Sequence, residues 1–370
     1  MPEPLLQIEI NFADYKIGLL SFVTAFAASL IIMPPLIKVI QRFKLLDIPN
    51  KRKEHSTPIP TMGGIASGAG MIISCSLWYQ FSRDVFVISF YFSLFILMAT
   101  GIMDDLRNLS ARYKLGIQLA VSLLIAFSGV RITNFSGLFG IYQLPLLAQY
   151  SISILAIAGI TNAFNLIDGI DGLAGGLGFM SLSILGLFLL ISGDFNSAII
   201  AFALGGGLLG FLYYNFNPAK IFMGDTGSLV LGFVISVLCL RLIQVNSGHS
   251  NSVIVHSPVF VFSIVAIPVF DTLRVFSIRL WQGRSPFSPD KNHIHHLLTT
   301  NGWSHAAVSR ILCGLHAILL IAGYLVRNLP QFAGLMVLLL ILFLAIWLFR
   351  KLKVPEPVHS VSSKPETQLF

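Results

Sequence analysis

Five short stretches of the chain gather carboxylates, histidines, lysines and glycines at spacings suited to phosphate and cation chemistry. Asp104 and Asp105 stand side by side directly after an apolar run ending Thr-Gly-Ile-Met. Adjacent carboxylates repel and are costly to desolvate, so they persist beside a cation or as acid–base groups. Taken alone, the pair could also be a solvated helix end. Asn165-Leu-Ile-Asp168-Gly-Ile-Asp171-Gly spaces an amide and two carboxylates three apart, which puts them on one face if the segment is helical. Gly169 and Gly172 let backbone or ligand approach closely. The Asn and Asp side chains could engage ribose or uracil, or hold a cation; a polar turn is the plainer reading. Asp225 stands between glycines in Phe222-Met-Gly-Asp-Thr-Gly-Ser228, where another apolar run opens. It suits Mg²⁺, which takes one or two carboxylates plus substrate phosphates, although a helix cap by Asp225 or Thr226 would also explain it.

The fourth stretch, Pro289-Asp290-Lys291-Asn292-His293-Ile-His295-His296, forms an anion-facing cluster. Its H-x-H-H spacing sends neighbouring rings to different helix faces, which favours phosphate contact over zinc. The fifth is a basic loop, Asn50-Lys-Arg52-Lys53-Glu-His55, leading to Gly63-Gly64. Ordinary enrichment of cytoplasmic loops in Lys and Arg would explain it. With the glycine pair, Lys53 and His55 are also candidates for phosphate or lipid-headgroup binding. Lys114, ahead of the fourth apolar run, is a similar candidate.

The elements that must position these residues are apolar helices. The 370 residues are 55% hydrophobic and 11% charged, against about 25% charged in soluble domains. A mean hydropathy of +0.81 agrees. Apolar runs lie near 17–40, 62–80, 86–103, 115–130, 149–164, 177–192, 197–214, 228–245, 252–270, 307–326 and 331–349, each close to the length that crosses a bilayer. The expected fold is an all-α polytopic membrane protein of about eleven transmembrane helices. Residues 1–353 form one catalytic transmembrane domain, and 354–370 a disordered cytoplasmic tail.

Orientation follows from charge. With the N-terminus outside, only Lys16, Arg83, Arg131, Arg241 and Arg327 of the 24 Lys and Arg fall outside, as the positive-inside rule requires. The C-terminus is then cytoplasmic. The same arrangement brings Asp104, Asp105, Asp168, Asp171, Asp225, Asp271 and Asp290 to the cytoplasmic face from four loops, although the acids were not used to set it. Glu3, Glu9 and Asp14 precede the first run, where a cleavable signal would be basic, so that run is expected to remain.

Several classes are excluded. The net charge of +8 is explained by cytoplasmic loops, so no nucleic-acid partner is expected. Cys75, Cys239 and Cys313 lie far apart in apolar runs and suit neither a disulfide framework nor a zinc site. Gly205-Gly-Gly-Leu-Leu-Gly210 matches G-x-G-x-x-G but lies within a span with no preceding strand, so it fails the dinucleotide context. Small residues there suit close helix packing, and the stretch 203–210 could also serve a homodimer.

Together the strings Met-Asp-Asp, Asn-Leu-Ile-Asp-Gly-Ile-Asp-Gly, Phe-Met-Gly-Asp-Thr-Gly-Ser and Asp-Lys-Asn-His-Ile-His-His resemble the polyprenyl-phosphate N-acetylhexosamine-1-phosphate transferase superfamily, glycosyltransferase family 4. The resemblance runs from about 41 to 326. His293-Ile-His295-His296, in place of three consecutive histidines, is similar to the branch using UDP-N-acetylglucosamine to begin O-antigen, common-antigen, teichoic acid or capsule synthesis. The resemblance implies a Mg²⁺-dependent transferase, with Mn²⁺ as a substitute, in the bacterial inner membrane. Its partners would be a UDP-N-acetylhexosamine, undecaprenyl phosphate and the bilayer. It implies Asp225 as the principal Mg²⁺ ligand with Asp105 nearby, and Asp104 contacting or deprotonating the lipid phosphate. Asn165, Asp168 and Asp171 would hold nucleotide or help position the metal, and His293, His295 and His296 would bind pyrophosphate. A lipid substrate further calls for a groove opening laterally between spans beside the acids. A muramoyl-pentapeptide transferase is the alternative within the superfamily. A cation or proton transporter is the alternative outside it, but it would need acids deep within spans.

Overall fold

The computed structural model describes residues 12–47, 58–81, 84–247, 254, 256–286 and 292–352. Lys53, His55, Asp290, Lys291 and the tail 354–370 lie outside the described residues.

Each apolar run forms a helix, because its backbone groups must be satisfied within the segment when lipid surrounds it. The long helices are α1 (Phe12–Arg42), α2 (Gly64–Trp78), α3 (Val85–Arg107), α4 (Ala111–Phe127), α5 (Leu146–Ile167) and α6 (Leu173–Ile191). They continue with α7 (Phe195–Asn215), α8 (Gly224–Val245) and α9 (Ser257–Trp281), then a short α10 (Ile294–Thr300), α11 (His305–Leu325) and α12 (Gln331–Lys351). Among the described residues, nine helices are long and apolar enough to cross a membrane, where the sequence suggested eleven. The two that fall short are α2, with 15 residues, and α4, with 17. At 1.5 Å per residue they reach about 22 and 26 Å, against a hydrocarbon core of about 30 Å.

Successive long helices alternate in direction. Strand β1 (Leu46–Asp47), after α1, pairs antiparallel with β2 (Ile59–Pro60), before α2. The Phe222 N–H then donates to the Pro60 carbonyl, and the Gly63 and Gly64 N–H groups donate to the carbonyls of Phe222 and Met223. The entrance to α2 is thereby stitched to the entrance to α8. At the opposite end, hairpin β3 (Asn134–Leu138) and β4 (Ile141–Gln143) joins α4 to α5, and Gln331 donates to the carbonyls of Phe135 and Ser136. Helices α3, α5, α7 and α9 therefore end, and α4, α6, α8 and α11 begin, at one end of the bundle, called here the site end.

Helix α8 is the most deeply buried and lies at the centre of the bundle, packed by α2, α3, α5, α6 and α9. The stretch 203–210 is consumed within the chain. A Cβ on Gly206 would lie 2.1 Å from the Phe22 carbonyl oxygen of α1, so only glycine admits that approach. The residue serves packing of α7 on α1, which removes this stretch as a dimer face.

Candidate active site

Helix α8 opens at Gly224 with its own N-cap residue, Met223, making no side-chain cap. The cap comes from α3. Asp105 Oδ1 accepts from the Asp225 N–H (2.8 Å), and Oδ2 accepts from the Thr226 N–H (3.1 Å) and hydroxyl (2.6 Å). Gly224 has φ +73°, and a Cβ there would meet the Asp105 carboxylate at 2.7 Å, so this turn needs glycine twice over. Asp105, expected beside Asp225 as a metal ligand, uses both oxygens to fix the turn that carries Asp225.

That turn presents the Asp225 carboxylate at a helix N-terminus, where negative charge is favoured. Lys114, in the first turns of α4, reaches it: Nζ lies 2.7 Å from Asp225 Oδ2 and 2.7 Å from Asp104 Oδ2. The other Asp104 oxygen accepts from the Leu109 N–H, closing the turn between α3 and α4. Asn165 Nδ2, on the last turn of α5, donates to Asp225 Oδ1 (2.5 Å) and Ser228 Oγ (2.9 Å). Four helices thus meet around one carboxylate.

Asn165, Asp168 and Asp171 do not share a helix face as the spacing suggested. Helix α5 ends at Ile167, Asp168 is its C-cap, and Gly172 (φ +74°) precedes α6. The three side chains therefore take separate tasks. The Asp168 carboxylate makes no hydrogen bond among the described residues. Burial, then the charges of Asp105 and Asp171, push its carboxyl up to about 7. Asp171 faces the other way, toward the α7–α8 connection. Its Oδ2 accepts from Asn217 Nδ2 and the Ala219 N–H, both at 3.1 Å, and His305 Nδ1 lies 3.9 Å from Oδ1. Burial works to raise its carboxyl, but His305 and these two donors hold it below the ordinary carboxylate range.

The histidine stretch divides as well. His293 Nδ1 lies 2.8 Å from Asp271 Oδ2 on α9. His295 is 1% exposed, and burial followed by neighbouring His296 pushes its imidazole down to about 3. As a neutral ring, His295 could meet a phosphate only through its one N–H and not as a cation. His296 is half-buried beside it, with ring centroids 4.3 Å apart.

Two residues with organising roles were missed from sequence. Asn215 accepts from the Gly172 N–H and donates to the Ile221 carbonyl, both at 2.9 Å, joining the two loops that carry Asp168 and Asp225. Asp271 was visible only as one more acid on the site side.

Among the described residues, no group of three or more His, Cys, Asp and Glu side chains is placed to hold a metal. Asp104 and Asp225 nevertheless converge on one cation position, now taken by the Lys114 ammonium. A two-carboxylate donor set fits Mg²⁺, which completes its shell with waters and phosphate oxygens, and does not fit a closed zinc cage.

Beside this cluster lies an apolar groove of about 490 Å³ between α4, α5 and α9, lined by Leu115, Leu119, Leu155, Val265, Leu273 and Phe276 among others. Leu115 follows Lys114 directly. Asn162 and Ala163, also in the lining, lie within one turn of Asn165. Groove and charged cluster are therefore neighbours along α4 and α5.

The family model described as glycosyl transferase family 4 matches residues 87–243, the stretch holding Asp104 through Asp225. A probable undecaprenyl-phosphate N-acetylglucosaminyl 1-phosphate transferase of Bacillus subtilis (strain 168) is 35% identical over 288 residues, 77% of this chain and 78% of that protein. The undecaprenyl-phosphate alpha-N-acetylglucosaminyl 1-phosphate transferase of Escherichia coli (strain K12) is 32% identical over 319 residues, 84% of each chain. The protein of the same description from Yersinia pestis is 31% identical over 274 residues, 72% of this chain and 73% of that protein.

Proposed function

The chain belongs to glycosyl transferase family 4, and from that premise we propose that it transfers N-acetylglucosamine-1-phosphate from UDP-N-acetylglucosamine to undecaprenyl phosphate. UMP is the leaving product. The observation that carries this reading is the juxtaposition of Lys114, shared between Asp104 and Asp225, with an apolar groove that begins at the next residue. A phosphate on a long apolar tail would need both features, side by side, at the membrane surface.

The chemistry joins two anions. An oxygen of the lipid phosphate attacks the β-phosphorus of the nucleotide sugar, and the bond to UMP breaks. The obstacle is charge repulsion, so catalysis rests on neutralisation and alignment. Mg²⁺, held by Asp225 and Asp104, would supply positive charge to the phosphate oxygens. Lys114, released from one or both carboxylates, neutralises a further phosphate charge. Asn165 keeps Asp225 oriented, and Asp105 keeps the α8 turn in place. Asp104 has both oxygens engaged, so it serves charge placement better than proton removal. Asp168, with a carboxyl that titrates near neutrality, is the better candidate for exchanging a proton with substrate. The tail of the lipid lies along α4, α5 and α9 in the apolar groove.

Alternation of the helices supports eleven crossings, with α2 and α4 crossing where the bilayer is locally thinned. Among the described Lys and Arg, only Lys16, Arg131, Arg241 and Arg327 lie at the end away from the site. That bias supports a cytoplasmic site, an outside N-terminus and residence in the inner membrane. The relatives named for N-acetylglucosamine transfer favour that sugar over a muramoyl pentapeptide.

The test is UMP release by purified protein with Mg²⁺ and undecaprenyl phosphate, offering each nucleotide sugar separately. Release with UDP-N-acetylglucosamine alone is expected. Release only with UDP-muramoyl-pentapeptide would overturn the sugar assignment, and silence with any UDP-N-acetylhexosamine would overturn the transferase reading.

A further inference from the structure

Asp271 is a carboxylate with 1% exposure inside the apolar helix α9. A charge buried in this way persists only where partners surround it, and here every partner belongs to, or holds, the start of the histidine stretch. Oδ2 meets His293 Nδ1 at 2.8 Å, and Oδ1 accepts from the Ile294 N–H at 3.0 Å and from an Arg274 terminal nitrogen at 2.8 Å. The same Arg274 nitrogen donates to the Asn292 carbonyl. One buried acid therefore fastens residues 292–294 to α9.

The contacts continue inward. The His293 ring stacks on His295, with centroids 5.8 Å apart and planes 11° from parallel. His295 Nε2 lies 2.5 Å from where a Cβ on Gly169 would stand, so the His295 ring rests on the loop that carries Asp168. With Nδ1 of His293 committed to Asp271, Nε2 is the nitrogen left for a ligand.

We propose that Asp271 is a positioning residue for phosphosugar transfer: by accepting from the Nδ1–H of His293 it fixes the ring orientation and balances a doubly protonated ring, whose Nε2–H is donated to a pyrophosphate oxygen of the nucleotide sugar. The arrangement follows a general rule for functional imidazoles, whose second nitrogen is set by a carboxylate or carbonyl behind it. The proposal rests on the transferase reading for its ligand, but the Asp271–His293 coupling can be measured without turnover.

The experiment is a double-mutant cycle with a spectroscopic arm. D271N retains the volume of the side chain, yet one amide cannot accept from His293, Ile294 and Arg274 together. It should lower kcat for UMP release about 10- to 100-fold while KM for undecaprenyl phosphate stays within about threefold. In an H293Q background the same change should cost less than about threefold, because its effect passes through His293. Losses that multiply independently would overturn the proposal. If D271N fails to insert, Asp271→Glu supplies the cycle, because it keeps the charge but displaces it by one methylene. In ¹⁵N-histidine-labelled protein, the ring signals that vanish in H293Q should report a doubly protonated ring and should shift in D271N. Unchanged signals would overturn the proposal whether or not any nucleotide sugar is turned over. Silence of the unaltered protein in the UMP assay would reject the transferase reading separately.

Discussion

The two ends of the helix bundle each place acidic and basic side chains together, and they balance them differently. At the end away from the site, Asp194 and Arg241 form a one-to-one pair, 2.6 Å from Oδ2 to a terminal nitrogen. Asp194 also caps α7 through the Ser197 N–H, and the guanidinium lies over the Phe86 ring. Charge and hydrogen bonds close on themselves there. At the site end, a single ammonium among the described residues, Lys114, serves both Asp104 and Asp225, while Asp105 and Asp168 lie close by. The first arrangement is complete and holds helices together. The second leaves carboxylates in excess of ammonium among the described residues. The structural ion pair and the candidate catalytic cluster thus differ in what remains unbalanced.

Substitutions should break this contrast in order of effect. Asp104→Asn removes one of the two carboxylates at the cation position and should lower UMP release about 1,000-fold or more, beyond the usual cost of losing a single electrostatic contact. Folding, followed by size-exclusion chromatography and thermal melting in detergent, should be little changed. Lys114→Met leaves two carboxylates facing each other and removes a phosphate partner. It should cost about 100-fold in kcat/KM, with the loss growing as Mg²⁺ is lowered.

Asp168→Asn probes the excess charge through pH. In the folded protein this carboxyl titrates near 7, and in the unfolded chain near its ordinary value of 3.8. Between those values the folded state holds the extra proton, so Asp168 makes stability fall as pH rises. The melting temperature of the variant should therefore gain on that of the parent between about pH 4 and pH 8, the gain levelling off once the parent's carboxyl has ionised. A constant difference across that range would remove Asp168 from the unbalanced set.

Arg241→Met tests the balanced end. It should lower stability by about 1–3 kcal/mol, less than the ~3–5 of a fully buried pair, because Arg241 is partly exposed. Turnover at permissive temperature should stay within about twofold, since the pair shares no partner with the site. A large loss of turnover at intact folding would mean that the two ends are coupled.

Much of the fold was legible in the sequence because bilayer thickness and backbone satisfaction leave few options. All eleven apolar runs became helices at the expected places, and the acids from separate loops met at one end. The count of full crossings was less legible, because α2 and α4 form helices of only 15 and 17 residues, short of a full hydrocarbon core. The sequence singled out Asp104, Asn165, Asp225 and Lys114, whose neighbours are punctuated by glycine or by span ends, and the structure brings these four together. Their division of labour was not. Asp105 acts on Asp225 and Thr226 across 120 residues of chain, a relation that no local spacing encodes. Asp168 and Asp171 were assigned one helix face, but Gly169 and Gly172 end the helix and turn them apart. His295 resembled its neighbours in sequence and differs because its place on α10 turns it against the loop at Gly169. Asp271 gave no local signal, since a lone acid in an apolar run shows neither its depth nor its partner.

The central claim is that the carboxylates left unbalanced at the site end are completed by Mg²⁺ and substrate phosphates during sugar-phosphate transfer. Its most direct measurement is UMP release from UDP-N-acetylglucosamine and undecaprenyl phosphate across a Mg²⁺ titration, for the parent protein and Asp225→Asn. Turnover that requires Mg²⁺ in the parent, and is lost in the variant at every Mg²⁺ concentration while the fold persists, is the predicted result. Turnover that survives EDTA, or an Asp225→Asn protein that works at near-parental rate, would contradict the account.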